Sequence, residues 1–75
     1  MPALPVLSAR EIVNALQRLG FEAHHQRGSH VVMRHSEDPA RRAVVPMHRE
    51  VRKGTLHSIL KGAKVAREGF LRAVR

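Results

Sequence analysis

The 75-residue sequence predicts an α+β domain with elements in the order α-β-β-β-α, followed by a short helical tail. Three observations predict it. Apolar residues recur at helical spacing between Ser8 and Gly20. Three short strand-like runs, FEAHHQ, HVVMRH and RRAVVP, then fill the chain from Phe21 to Pro46. Helical spacing returns at Leu56, Ile59, Leu60 and Ala63. One antiparallel three-stranded sheet with its helices on a single face follows from that order.

The length sets one domain, residues 1–75, and a core so small that packing must be efficient. Pro2 and Pro5 make residues 1–7 read as an extended, flexible tail. In SARE, Ser8 is followed three residues later by Glu11, the spacing of a capping box at a helix start. Ile12, Val13, Leu16 and Leu19 then form one face of the helix, and Arg10, Asn14, Gln17 and Arg18 the other. Gly20 stops the helix at the C′ position, and Phe21 packs back on it.

Strand parity decides which way each side chain points. Val31 and Met33 make the more apolar alternation, which leaves His30, Val32 and Arg34 on the open face. Burial of Phe21 and Ala23 puts Glu22, His24 and Gln26 on that open face too. A three-residue loop, Arg27-Gly28-Ser29, pairs Gln26 with His30 and satisfies both strands, with Gly28 free to take positive φ. A two-residue turn would move His30 to the face of Phe21. His30 is therefore expected beside Gln26, His24 and Arg34. SEDPA makes the next turn, and the chain leaves the sheet at Pro46. GTLHSILKGA forms the second helix, which Gly62 loosens or ends. VAREGFLRA forms a short third helix carrying Val65, Phe70 and Leu71.

Charge narrows the function. Fourteen Lys and Arg against six Asp and Glu give a formal net charge of +8, which attracts polyanions, nucleic acid first. Arginine predominates, and its planar fork suits phosphate. With Phe21 and Phe70 as the only aromatics, a platform for stacking single-stranded bases is excluded. Cysteine is absent, so disulfides and thiolate metal sites are excluded as well. No signal-peptide pattern and no apolar run of bilayer length appear, so a soluble cytoplasmic protein is expected.

Histidines carry the candidate chemistry. His30 follows Gly28-Ser29 and emerges among arginines, where an imidazole can move a proton near neutral pH. RNA supplies its own nucleophile, the 2′-hydroxyl, so a small protein need only take that proton and offset the charge at phosphorus. Arg27, Arg34 or Lys53 could do the latter. Taken alone, GSH also reads as a turn with a surface histidine. His24 and His25 alternate across a strand and no ligand spacing such as HExxH appears, so no metal site is expected. Ser29 lacks an oriented Asp-His pair and is no nucleophile. His57 reads as a surface residue, and His48, in VVPMH, is the second histidine of interest.

The order of motifs resembles the HicA family of toxins from toxin–antitoxin pairs. The capped helix ending in LGF, the GSHVVM strand, VVPMH and KGTLHSILKGAKVAREGF carry the resemblance, from about Ser8 to about Leu71. It implies a fold like a double-stranded-RNA-binding domain. It also implies a metal-independent ribonuclease that cleaves mRNA and slows translation, and a HicB-type antitoxin partner that covers the active surface. No cofactor is implied. The family's catalytic histidine matches His30, and Gly28 and Ser29 match its neighbours. His48 matches the histidine of V-P-x-H. Lys53-Gly54-Thr55 match the start of the second helix, whose positive end could receive a phosphate. Ala66 departs from the Ser or Thr cap often found there.

The resulting expectation is an endoribonuclease with His30 as general base or general acid; His48, His24 or water supplies the other proton transfer. A 2′,3′-cyclic phosphate and a 5′-hydroxyl are the expected products. His24, Arg27, Arg34, Arg52, Lys53 and Lys61 are the expected RNA contacts. The alternative is a non-catalytic RNA-binding module of the same fold, using phosphate and 2′-hydroxyl contacts. A DNA-binding regulator ranks lower, because a sheet separates the two main helices and leaves no helix-turn-helix.

Overall fold

A computed structural model of the chain describes residues 3–75. Its elements are α1 (Ala9–Arg18), β1 (Phe21–Arg27), β2 (His30–His35), β3 (Arg42–Pro46), α2 (Lys53–Ala63) and α3 (Arg67–Val74). The strands form one antiparallel sheet in the order β1-β2-β3. The α-β-β-β-α order, with the tail helix after it, is that of the double-stranded-RNA-binding-domain-like fold. Phe21, Met33, Ala43 and Val45 project from one sheet face into a core shared with Ile12, Leu16, Leu56, Ile59, Leu60 and Phe70. All helices gather on that face, and no polar or charged residue is buried among the described residues.

The local signals act as their chemistry dictates. The Ser8 hydroxyl accepts from the Glu11 amide at 3.2 Å, and the Ser8 amide donates back to Glu11 Oε1 at 3.0 Å. Gly20, at φ +95°, ends the turn where an added Cβ would lie 2.8 Å from His35 Nε2. Gly62 neither loosens nor ends α2. It sits inside the helix where a Cβ would meet the Arg42 carbonyl oxygen at 3.0 Å, so its missing side chain lets α2 approach β3. The helix ends at Lys64, in the left-handed region at φ 57°, with the Val65 amide donating back to the Leu60 carbonyl at 3.0 Å. Arg41 completes that end: its Nε donates to the Ala63 carbonyl at 2.9 Å. The α3 helix forms without a side-chain cap at Ala66 because tertiary contacts hold it. Phe70 is fully buried, and Arg18 donates to the Ala73 carbonyl at 2.6 Å.

The N-terminal stretch and the first turn of the sheet also depart from expectation. The N-terminal stretch is not a loose tail over its described part: Leu4 and Leu7 are buried in the core, and Leu7 forms an antiparallel bridge with Val51. Met1 and Pro2 lie outside the described residues. The β1–β2 connection is a two-residue turn, Gly28-Ser29, with Arg27 rather than Gln26 opposite His30. Positive φ at Gly28 alone fits a type II′ turn. A bulge between Ala23 and His25 restores the parity that the shorter turn would have shifted. Phe21, Ala23 and Met33 thus share one face, although Ala23, on an edge strand, is exposed rather than buried as the sequence led one to expect; His30 stays on the opposite face.

Candidate functional site

His30 opens β2 directly after the turn, exposed to solvent, with Arg27 across one ladder and Pro46 across the other. Gly28 takes φ +57° with open space around it, a conformation favoured for glycine rather than for a residue with a Cβ. The Ser29 hydroxyl lies 3.5 Å from His30 Nδ1, near enough to bias the orientation of the ring.

The segment after β3 folds back over this turn and is braced by backbone hydrogen bonds. Met47 N–H donates to the Ser29 carbonyl at 2.6 Å, and His48 N–H to the Pro46 carbonyl at 2.8 Å. The His48 carbonyl accepts from the Ala9 amide at 3.0 Å, and Val51 N–H donates to the Leu7 carbonyl at 2.7 Å. The N-terminal stretch and the start of α1 therefore fix the loop that carries His48. Immediately beyond it, α2 begins at Lys53 with no side chain capping its first turn, which leaves N-terminal amides free to meet an anion.

These pieces enclose a hollow of about 350 Å³ lined by His30, Pro46, His48, Glu50, Val51, Arg52 and Thr55. Two imidazoles, a guanidinium, a hydroxyl and a helix N-terminus thus share one solvent-open cavity. The chemistry available there is proton transfer at two separate rings beside donors suited to a phosphate.

Other sequence candidates fall elsewhere. Arg34 shares the open face with His30 but is four residues along β2, about 13 Å at strand rise. It lines a different hollow of about 240 Å³ with Glu22, His24 and Ser36. The bulge also overturns the alternation expected for His24 and His25: their Nδ1 atoms meet at 3.1 Å, with the rings edge to face. Gln26 pairs with Val31 instead of flanking His30, and its side chain donates to the Gly28 carbonyl at 3.0 Å. Lys53 and Lys61 lie on the flank of α2 that faces α3, where Lys53 neighbours His57 and Arg67, and Lys61 neighbours His57 and Glu68. Of the predicted set, the hollow brings together His30, His48 and Arg52, with Ser29, Gly28 and Arg27 supporting its rim.

Sequence reasoning did not single out Glu50. Its only sequence signal is that it is the sole acidic residue between Pro46 and Glu68. Among the described residues no group of three or more His, Asp or Glu side chains converges as a metal site would require. No helix among them is long and apolar enough to cross a membrane.

Residues 9–65 match the family model described as the HicA toxin of bacterial toxin–antitoxin systems. No curated protein matches the chain.

Proposed function

The chain belongs to the HicA toxin family of bacterial toxin–antitoxin systems, and from that premise we propose that it is a metal-independent endoribonuclease that cleaves mRNA, with His30 as a catalytic residue. The observation that carries this reading is the hollow in which His30, His48, Arg52 and Thr55 meet the uncapped start of α2. RNA brings the 2′-hydroxyl as its nucleophile, so the protein supplies proton transfer and charge. His30 stands exposed at the rim with its Nδ1 edge toward Ser29, able to move a proton at Nε2. Arg52 and the first amides of α2 receive the phosphate oxygens. Arg27, paired with His30, extends the positive rim, while Lys53, Lys61, His24 and Arg34 contact the RNA strand farther out.

The partner in this reading is a HicB-type antitoxin, an acidic protein that covers the basic surface, offsets its +8 charge and competes with mRNA. Free toxin then slows translation and growth in the cytoplasm.

The test is cleavage of an RNA by wild type and His30→Ala in the presence of chelator. Wild type cuts and the variant loses at least about 100-fold, the usual share of one acid–base group. Equal cleavage by both removes His30 from the mechanism. Cleavage only on adding metal removes the metal-independent mechanism. RNA binding that survives His30→Ala, with no scission by wild type, gives the answer to the non-catalytic binding module instead.

A further inference from the structure

We propose that His48 is the general acid, giving its ring proton to the leaving 5′-oxygen while His30 takes the proton of the 2′-hydroxyl. This rests on the ribonuclease reading above and assigns the second proton transfer that the sequence left open among His48, His24 and water.

Placement decides between the two histidines. His48 and His30 line the same hollow, whereas His24 lines another, beside Arg34, with its Nδ1 against that of His25. The two residues reach the hollow from different segments of one strand pair. His30 opens β2 opposite Pro46, the last residue of β3, and His48 follows two residues later. Both stations are rigid where it matters. The Met47 amide binds the Ser29 carbonyl beside His30, and the His48 carbonyl holds the Ala9 amide at the head of α1. A phosphodiester held by Arg52, Thr55 and the first turn of α2 would meet both imidazoles in the one hollow they line, as a displacement with a separate base and acid requires.

Charge assigns the two roles. His30 faces a hydroxyl, Ser29, and is paired with a cation, Arg27, with no carboxylate among these neighbours, and the base role is assigned to it on that ground. Glu50 is the one carboxylate lining the hollow among the described residues, two positions after His48, and forms no ion pair with it; it is the acidic side chain of the hollow on the His48 segment. In the step, the 2′-O–H bond breaks with its proton passing to His30 as the 2′-oxygen bonds to phosphorus. The P–O5′ bond breaks, and O5′ takes the His48 ring proton. The products are a 2′,3′-cyclic phosphate and a 5′-hydroxyl. His30 ends protonated and His48 neutral, and exchange with water restores both.

Leaving-group chemistry tests the assignment. Two substrates are compared: an RNA oligonucleotide, whose alkoxide needs a proton to depart, and a nucleoside 3′-(p-nitrophenyl phosphate), whose aryl oxide does not. His48→Ala is expected to slow RNA cleavage by roughly 100- to 10,000-fold, yet to keep the aryl ester within about ten-fold of wild type. His30→Ala is expected to lose both. His48 is exposed and only its backbone atoms make the bracing bonds, so the variant folds, and a thermal melt checks this. An equal loss of His48→Ala on both substrates overturns the acid role, as does full RNA cleavage by that variant. If wild type cleaves neither substrate, the ribonuclease reading itself falls; if wild type cleaves both and only His30→Ala is impaired, the assignment of His48 alone falls.

Discussion

Arg41 is one of fourteen basic residues that could be counted as RNA contacts, yet its bonds are internal, and Arg41→Ala measures the difference. Its Nε donates to the Ala63 carbonyl at 2.9 Å in a part-buried setting, and Nη2 reaches the Lys64 carbonyl at 3.4 Å. Its guanidinium carbon stands 5.4 Å from the centre of the Phe21 ring. The short bond is charge-assisted and lies at the negative end of α2. After discounting for partial exposure it contributes about 1–1.5 kcal/mol, and the longer one little. The cation–π contact adds about 0.5–1 kcal/mol. Loss of about 2 kcal/mol is expected, a large share of the roughly 4–11 kcal/mol typical for this length. At about 4–8 °C per kcal/mol for a domain this small, the thermal midpoint falls by roughly 8–16 °C. Far-UV circular dichroism melts read it directly. Arg41→Lys keeps the charge but not the fork and is expected to recover less than half. A midpoint within about 2 °C of wild type would refute the capping argument, and a loss of RNA cleavage at temperatures where the variant is fully folded would return Arg41 to the binding surface.

Three further outcomes follow from the same geometry. Leu7→Ala removes a buried side chain at the bridge to Val51 and should cost about 2–4 kcal/mol in urea unfolding; because that bridge braces the His48 loop, cleavage should drop more than the folded fraction does. Gly28→Ala strains a positive-φ position with no compensating contact, a cost of about 1–3 kcal/mol; a melt equal to that of wild type would contradict the turn assigned here. RNA affinity should fall steeply between low and moderate salt, and Lys61→Ala should flatten that dependence without reducing cleavage at saturating RNA.

Most of the fold was legible because its signals are local. The capping box, the helical spacing of Ile12 and Leu16, and the apolar alternation of Val31 and Met33 each act within a few residues. The turn before His30 was harder. Parity fixed which residues of β1 and β2 must share the core face, but a three-residue loop and a two-residue turn plus a bulge satisfy that constraint equally. Beyond the bulge the two solutions give the same register, so Phe21 meets His35 either way. Between bulge and turn they differ, and the residues concerned, His24 to Arg27, are the ones whose neighbours the alternation alone does not determine. The N-terminal stretch is hard to read for a related reason. Pro2 and Pro5 announce an extended backbone, but whether an extended segment is loose or docked depends on a partner 44 residues away, Val51, which no local pattern contains.

The site itself is assembled from such distant pairings. His30 comes from the start of β2, His48 from the exit of β3, and Arg52 with Thr55 from the head of α2; the segment that ties them together is the N-terminal stretch before α1. Every bracing bond named for the loop is backbone to backbone, and the side chains of His30, His48, Arg52 and Thr55 stay exposed. For so small a domain this division has a physical reason. Burying an imidazole or a guanidinium costs several kcal/mol unless partners are built for it, and a core of this size has little stability to spare. With no polar or charged residue fully buried among those described, the core is built from apolar side chains and the His30 and His48 rings stay at the surface. Water exclusion must then come from whatever binds the hollow. An RNA strand bridging Arg27, Arg52 and the start of α2 would complete it from outside, and a protein covering the same basic rim would silence it by occupying that position.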